Sequence, residues 1–253
     1  MKVHELDGYF KSILDIEGFV RTDYSLNGLQ VGDENAEVTK AAFAVDACLE
    51  TFLRAAESGA QLLFVHHGIF WGRPFAVTGS AYKRMAALVN SKLALYAVHL
   101  PLDMDPVLGN NAGIMRSLGI EEMQPFGVYK GVKIGYKGSL AQPAGLNDLI
   151  AGMDIPADDV LQILPFGKEL VSTVGVVSGG AVDELDDAIR EGLDVYITGD
   201  AGHKAYHMAM ENGINMICAG HYATETFGVR QVAARTGEDT GIETVFIDLP
   251  TGL

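Results

Sequence analysis

The 253-residue chain carries 33 acidic against 18 basic residues, a formal net charge of −15 at pH 7. That balance argues against nucleic acid as a partner, because a phosphate backbone calls for a basic surface. With 48% apolar and 20% charged residues the composition is that of an ordinary globular chain, and no apolar run approaches the roughly 20 residues that span a bilayer. No membrane association is expected. Met1-Lys2-Val3-His4-Glu5 shows no basic segment leading into an apolar one, and Cys48 and Cys218 are too few for a disulfide framework. The expected location is therefore the cytoplasm. An anionic small ligand would need a local positive centre here, and a metal ion is one.

Val3, Leu6, Phe10, Ile13 and Leu14 recur at helical spacing and predict an amphipathic helix over 3–15. Residues 23–32 read as a loop and short strand, with Asn27-Gly28 as the turn signal. A strand at 40–45, a helix from Leu49 stopped by Gly59, and a buried strand at 62–65 follow. That strand runs straight into His66-His67-Gly68. A helix over 80–90 carries Tyr82, Met85, Ala86 and Val89 on one side, and a strand at 93–98 leads into His99 and Asp103. Residues 128–140 read as a hairpin, 144–153 as a helix, and 160–165 and 171–177 as strands. A helix at 181–191, a strand at 195–198, a helix at 203–212 and a strand at 215–219 come next. A helix at 223–235 and a strand at 243–249 close the chain. The alternation predicts an α/β fold of mostly parallel sheets with helices on their faces. We divide it into a first α/β unit, 1–127, and a second, 128–253, with the C-terminal elements free to pack on the first.

Shifting the chain by 133 residues lays Val38–His67 over Val171–Asp200 without a gap. Strand falls on strand, helix on helix and Gly59 on Gly192, although only Val38/Val171, Ala55/Ala188 and Gly59/Gly192 are identical. Matched element order, more than identity, points to a duplication.

In open α/β sheets ligands bind beyond the carboxyl ends of strands. Those ends carry His66-His67, Asp103 and His221, with Glu225 four residues beyond His221 on one side of a helical turn. Each has an ordinary structural role open to it, as a surface pair, a turn cap or a local ion pair; their common location favours a metal site. Successive strand residues face opposite ways. Adjacent histidines therefore serve one site only where the strand is ending or where two ions lie side by side. Three imidazoles and two carboxylates exceed the needs of one tetrahedral zinc and suit two ions sharing a carboxylate. Iron, zinc, manganese and cobalt all accept such donors. His99 reads as a group that orients a ligand or as a satisfied core histidine. His203 and His207 read as a helix face or as supports behind the ligands, Cys218 as packing and His4 as surface. Val177-Ser178-Gly179-Gly180-Ala181 offers amides that would hold an anion, or is a tight turn. No nucleotide-binding glycine fingerprint, phosphate loop or nucleophile elbow is present.

Asn27-Gly28-Leu29-Gln30-Val31-Gly32, Val65-His66-His67-Gly68-Ile69-Phe70-Trp71, His99 with Asp103, Thr198-Gly199-Asp200 and Gly220-His221 with Glu225 together resemble the Nif-three-like family. Its members are often labelled GTP cyclohydrolase 1 type 2 or dinuclear metal centre proteins. The resemblance covers nearly the whole chain and is closest to short bacterial-type members. It implies two similar, intertwined α/β units with a metal cleft between them, and a toroidal homohexamer. It also implies that His67 and Asp103 bind one ion and His66 and His221 the other, with Glu225 bridging. The expected function is a dinuclear divalent-metal hydrolase acting on a small molecule such as a nucleotide. GTP would be opened at the guanine imidazole ring by a metal-activated water, with His99 or Asp200 carrying protons. The alternative is a non-catalytic metal carrier or assembly scaffold built on the same ligands.

Overall fold

The computed structural model describes residues 1–18 and 23–253. They pack as two compact units, Met1–Leu102 with Gly228–Leu249, and Asp103–Phe227 with Pro250–Leu253. The sequence division at 127/128 falls inside a strand of the second sheet, and the last strand, β11 (Glu243–Phe246), pairs with β2 (Lys40–Asp46) of the first.

In the first unit α1 (Val3–Ile13) buries Val3, Leu6 and Phe10. The sheet runs β1-β4-β3-β2-β11, where β1 is Gly28–Val31, β3 is Leu62–His67 and β4 is Ala94–Ala97. All pairings are parallel except β1 with β4. Side-chain alternation divides β3 between two layers. Phe64 packs with Phe10, Phe43 and Tyr96 under α1, at ring separations of 5.0 to 5.9 Å. Leu63 and Val65 join Phe52 and Ala55 of α2 (Leu49–Glu57) in the opposite core. Helix α3 (Gly79–Asn90) carries Tyr82, Met85, Ala86 and Val89 on one side, as its spacing predicts. Only Leu88 is buried, while Tyr82 and Val89 are 62% and 60% exposed.

The second unit holds the sheet β5-β6-β8-β9-β10-β7. Its centre is parallel: β8 (Val171–Val177), β9 (Val195–Thr198) and β10 (Asn215–Cys218). The predicted hairpin is β5 (Gln124–Tyr129) and β6 (Val132–Ala144), turning at Lys130-Gly131, both at positive φ as a tight hairpin requires. Strand β7 (Gln162–Pro165) adds antiparallel to β10. Two helices that the sequence pattern does not predict, α4 (Leu100–Met104) and α5 (Asn110–Ser117), precede the sheet. They are followed by α6 (Leu146–Gly152), α7 (Leu185–Arg190), α8 (His203–Asn212), α9 (His221–Thr224) and α10 (Thr226–Thr240). The predicted helix at 181–191 is confined to α7, because the chain turns through Ser178–Asp183 first.

The duplication is visible bond by bond. Ala41 pairs with Leu62 as Val174 pairs with Val195, which keeps the shift of 133 residues. Gly59 and Gly192, at φ +81° and +68°, end α2 and α7 in the left-handed conformation that glycine adopts without strain. Gln61 Oε1 accepts from the amides of Thr39 and Lys40 at 2.9 and 3.1 Å. Asp194 Oδ2, at the equivalent position, accepts from Ser172 and Thr173 at 2.8 and 3.1 Å. Different side chains thus tie the same strand entry. Among the described residues no helix is long and apolar enough to cross a membrane.

Candidate metal centre

Strand β3 ends at His67, and there the alternation of faces relaxes. The rings of His66 and His67 come to 4.6 Å of each other, and His99 lies 5.1 and 5.6 Å from them. Ligand atoms of all three fall within 4.8 Å of one another, a candidate metal-binding group made by the first unit alone. His66 is buried and its Nδ1–H donates to the Val98 carbonyl at 3.0 Å. A carbonyl only accepts, so Nδ1 holds the proton and Nε2 the lone pair. His67 Nδ1 faces Asp46 Oδ1 at 2.9 Å, and His99 Nδ1 faces Asp23 Oδ1 at 2.8 Å. Asp23 is buried and also accepts from Asn27 Nδ2 and from the amides of Ser25 and Leu100. Burial alone would raise its pKa, but the bond and charge of His99 and the other donors hold it below the usual carboxylate range. His99 is therefore anchored, with its ring packed against the His pair.

The second unit brings Asp103, His221, Glu225 and Asp200 around the turn after β8. Asp103 Oδ1 accepts from Asn110 Nδ2 and from Ser178 Oγ, each at 2.9 Å. His221, first residue of α9, sets Nε2 3.2 Å from Glu225 Oε1 and Nδ1 2.9 Å from Asp200 Oδ1. Burial pulls the His221 ring down, but the Glu225 bond and charge and the Asp200 carboxylate outweigh it and push its pKa up to about 9. Two carboxylates focused on one imidazole make a place that attracts a cation. Gly179 lies against them at φ +66°, where a Cβ would come within 2.2 Å of Glu225 Oε1 and 3.1 Å of His221 Nε2.

Ser178-Gly179-Gly180 is thus no anion nest. The Ser178 amide is bonded to Asn111 Oδ1 and the Gly179 amide to Thr224 Oγ1. The turn is glycine-rich because a carboxylate occupies the space a side chain would need. Sequence reasoning misses Asn110, Asn111 and Ser178. Asn111 uses both ends of its amide, donating to the Asp103 and Ile134 carbonyls and accepting from Ser178. An Asn pair beside Ala112, Ile114 and Met115 is the available signal, since buried amides exist to satisfy partners. Cys218 is buried, and burial pushes its thiol up to about 11, as befits packing. His4, His203 and His207 are exposed.

The donor set fits a divalent cation. His66, His67 and His99 in the first unit and His221 in the second each have Nδ1 tied to an oxygen, the arrangement that orients histidine ligands in metal sites. In the second unit the buried carboxylates Asp103 and Glu225 add negative charge beside His221.

The family model Duf34/NIF3 (NGG1p interacting factor 3) matches residues 1–251. A Treponema pallidum protein named GTP cyclohydrolase 1 type 2 homolog is 42% identical, each chain being covered completely. The Deinococcus radiodurans protein of the same name is 44% identical, over 91% of this chain and 88% of its own. The crystal structure of TTHA1606 from Thermus thermophilus superposes with a TM-score of 0.87 at 38% identity, covering both chains fully. With a model match over nearly its entire length and full-length relatives above 40% identity, the chain belongs to the Duf34/NIF3 family.

Proposed function

We propose that the protein is a dinuclear metal-dependent hydrolase acting on a nucleotide-like small molecule. In this reading His66, His67, Asp103, His221 and Glu225 would hold two divalent ions. The observation that carries it is the uniform presentation of Nε2 by histidines whose Nδ1 is held by Val98, Asp46 and Asp200. Such ions supply Lewis acidity and lower the pKa of water near neutrality. The chain's own groups then have distinct tasks. Asp46 and Asp200 fix ring orientation and raise ligand basicity. The Asp23–His99 pair, anchored at 2.8 Å, exchanges a proton with the reacting group through His99 Nε2. Asp200 is bonded to His221 Nδ1, which supports a positioning role for it over proton transfer.

The relatives' names motivate GTP as the first substrate to test. Free Cys48 and Cys218 suit a reducing cytoplasm, and the family resemblance suggests a homohexamer. Purified protein, loaded in turn with iron, zinc, manganese and cobalt, would be assayed for metal content and for ring opening of GTP and related cyclic amides. Turnover lost in His67→Ala together with metal, and lost in His99→Gln with metal retained, is the expected result. Two tightly held, exchangeable ions without turnover of any such compound would overturn the hydrolase reading in favour of a metal carrier or scaffold.

A further inference from the structure

From Ser58 to Leu102 the sequence contains no Asp or Glu, although the chain has 33 of them. This stretch holds His66, His67 and His99, and also Arg73, Lys83, Arg84 and Lys92. Among the described residues none of these four cations has a carboxylate partner, whereas Lys11, Lys40, Arg54 and Lys137 elsewhere do. A strongly negative chain thus has one long stretch of sequence that is basic and free of acids, and this stretch carries the histidine cluster.

Trp71 belongs to that stretch. Its ring lies 5.0 Å from His99, edge to face, and 5.9 Å from His67. Its Nε1–H donates to the Gly68 carbonyl at 2.9 Å, which fixes the indole against rotation. Yet the side chain remains 41% exposed. A large aromatic residue is normally buried for its apolar area. One that is pinned by its polar edge and left open beside candidate ligands offers a flat, pre-ordered surface. On the same loop Ile69 and Phe75 line a cavity of about 230 Å³ with Arg84 and Met85. That volume is below the roughly 300 Å³ of a pocket for a whole small ligand. It suits one end of a ligand.

We propose that Trp71 is the stacking platform for the planar heteroaromatic ring of the substrate, with Arg73 and Arg84 receiving its anionic group. The assignment rests on reading the histidine cluster as the reaction centre. It defines the substrate class as a ring with an acidic tail, a nucleotide in the simplest case. Stacking on an aromatic side chain is sequence-tolerant and gives about tenfold or more in affinity, while arginine adds a charge-assisted contact to phosphate.

Trp71 is the only tryptophan, so its fluorescence reports the platform directly. Metal-loaded protein would be titrated with guanosine, GTP and inorganic tripolyphosphate. Saturable quenching by guanosine and GTP, but not by tripolyphosphate, is expected. In equilibrium dialysis Trp71→Leu should bind both guanosine and GTP about tenfold or more weakly, and Trp71→Phe should stay within about threefold of the parent. Arg73→Ala combined with Arg84→Ala should abolish the advantage of GTP over guanosine and leave guanosine unchanged. Unchanged metal content in every variant would show that the histidine cluster is intact. Equal GTP binding by Trp71→Leu and the parent protein, or no quenching by either guanosine or GTP, would overturn the platform. The two readings fail separately. Nucleotide held on Trp71 without conversion sinks the hydrolase and keeps the platform, and turnover with nucleotide binding indifferent to Trp71→Leu does the reverse.

Discussion

The turn after β8 shows how closely one residue's geometry is tied to the chemistry beside it. Gly179 holds φ +66°, which costs a non-glycine residue roughly 1–2 kcal/mol. Its missing side chain is also the space taken by Glu225 Oε1, since a Cβ there would stand 2.2 Å away. Neither neighbour gives easily. Glu225 is buried, and Thr224 is bonded to the Gly179 amide. We therefore expect Gly179→Ala to destabilise the fold by about 2–4 kcal/mol, combining backbone strain with displacement of a buried carboxylate. Metal content should fall in the same variant, whereas Gly192→Ala, with open space around its Cβ, should show the strain alone. Thermal unfolding and elemental analysis of the two variants would check this. Full metal content in Gly179→Ala would show that the Glu225 carboxylate is not needed where it stands.

At the scale of elements, the shared task of Gln61 and Asp194 makes a sharper test of the duplication than sequence identity does. Asp194 accepts two amides of the β8 entry and an ion pair from Lys168 at 2.6 Å. Burial would raise its pKa, but Lys168 and the two amides outweigh burial and hold it below the ordinary 3.8. The sign follows from that direction. A carboxyl whose folded pKa is depressed contributes stability that is present above its unfolded value and is lost as pH falls through the folded one. The parent protein should thus lose this contribution below about pH 4. Asp194→Ala should lose about 2–3 kcal/mol at neutral pH, two charge-assisted bonds being removed. Asp194→Gln, which imitates Gln61, should restore most of the loss and remove this site's acid dependence. Urea unfolding at pH 3.5 and pH 7 checks both, and an unrescued glutamine variant would refute the equivalence. The same comparison explains what could be read from sequence. Strands β2, β3, β8 and β9 were legible because each is a short apolar run between polar or glycine punctuation. The candidate ligands could be singled out because histidines and acids recur at the carboxyl ends of predicted strands, where open α/β sheets bind ligands. Helix α5 was not, because Asn110, Asn111 and Gly113 look like a loop until their partners are known. The side-chain supports Asp46 and Asp23 were also illegible, since each acts across long sequence separations on His67 and His99.

For the whole molecule the controlling quantity is charge. A net −15 makes copies of the chain repel one another, so any assembly must bring together surfaces that carry little of that charge. Within the acid-free stretch Ser58–Leu102, α3 exposes Tyr82 and Val89. Helical periodicity identifies an apolar side but not what covers it. If the proposed hexamer forms, α3 is the element best suited to be covered by a second copy, because scattered single apolar residues are common but an apolar helical stripe is not. Light scattering of the parent protein should then give six times the 27.0 kDa chain mass. Tyr82→Glu combined with Val89→Glu places new negative charge on that stripe without entering either core. This variant should retain its far-ultraviolet circular dichroism and elute as a smaller species, the more so at low ionic strength, where like charges are least screened. A parent mass of one chain would dispose of the hexamer. A sixfold mass in the double variant would instead move the contact away from α3.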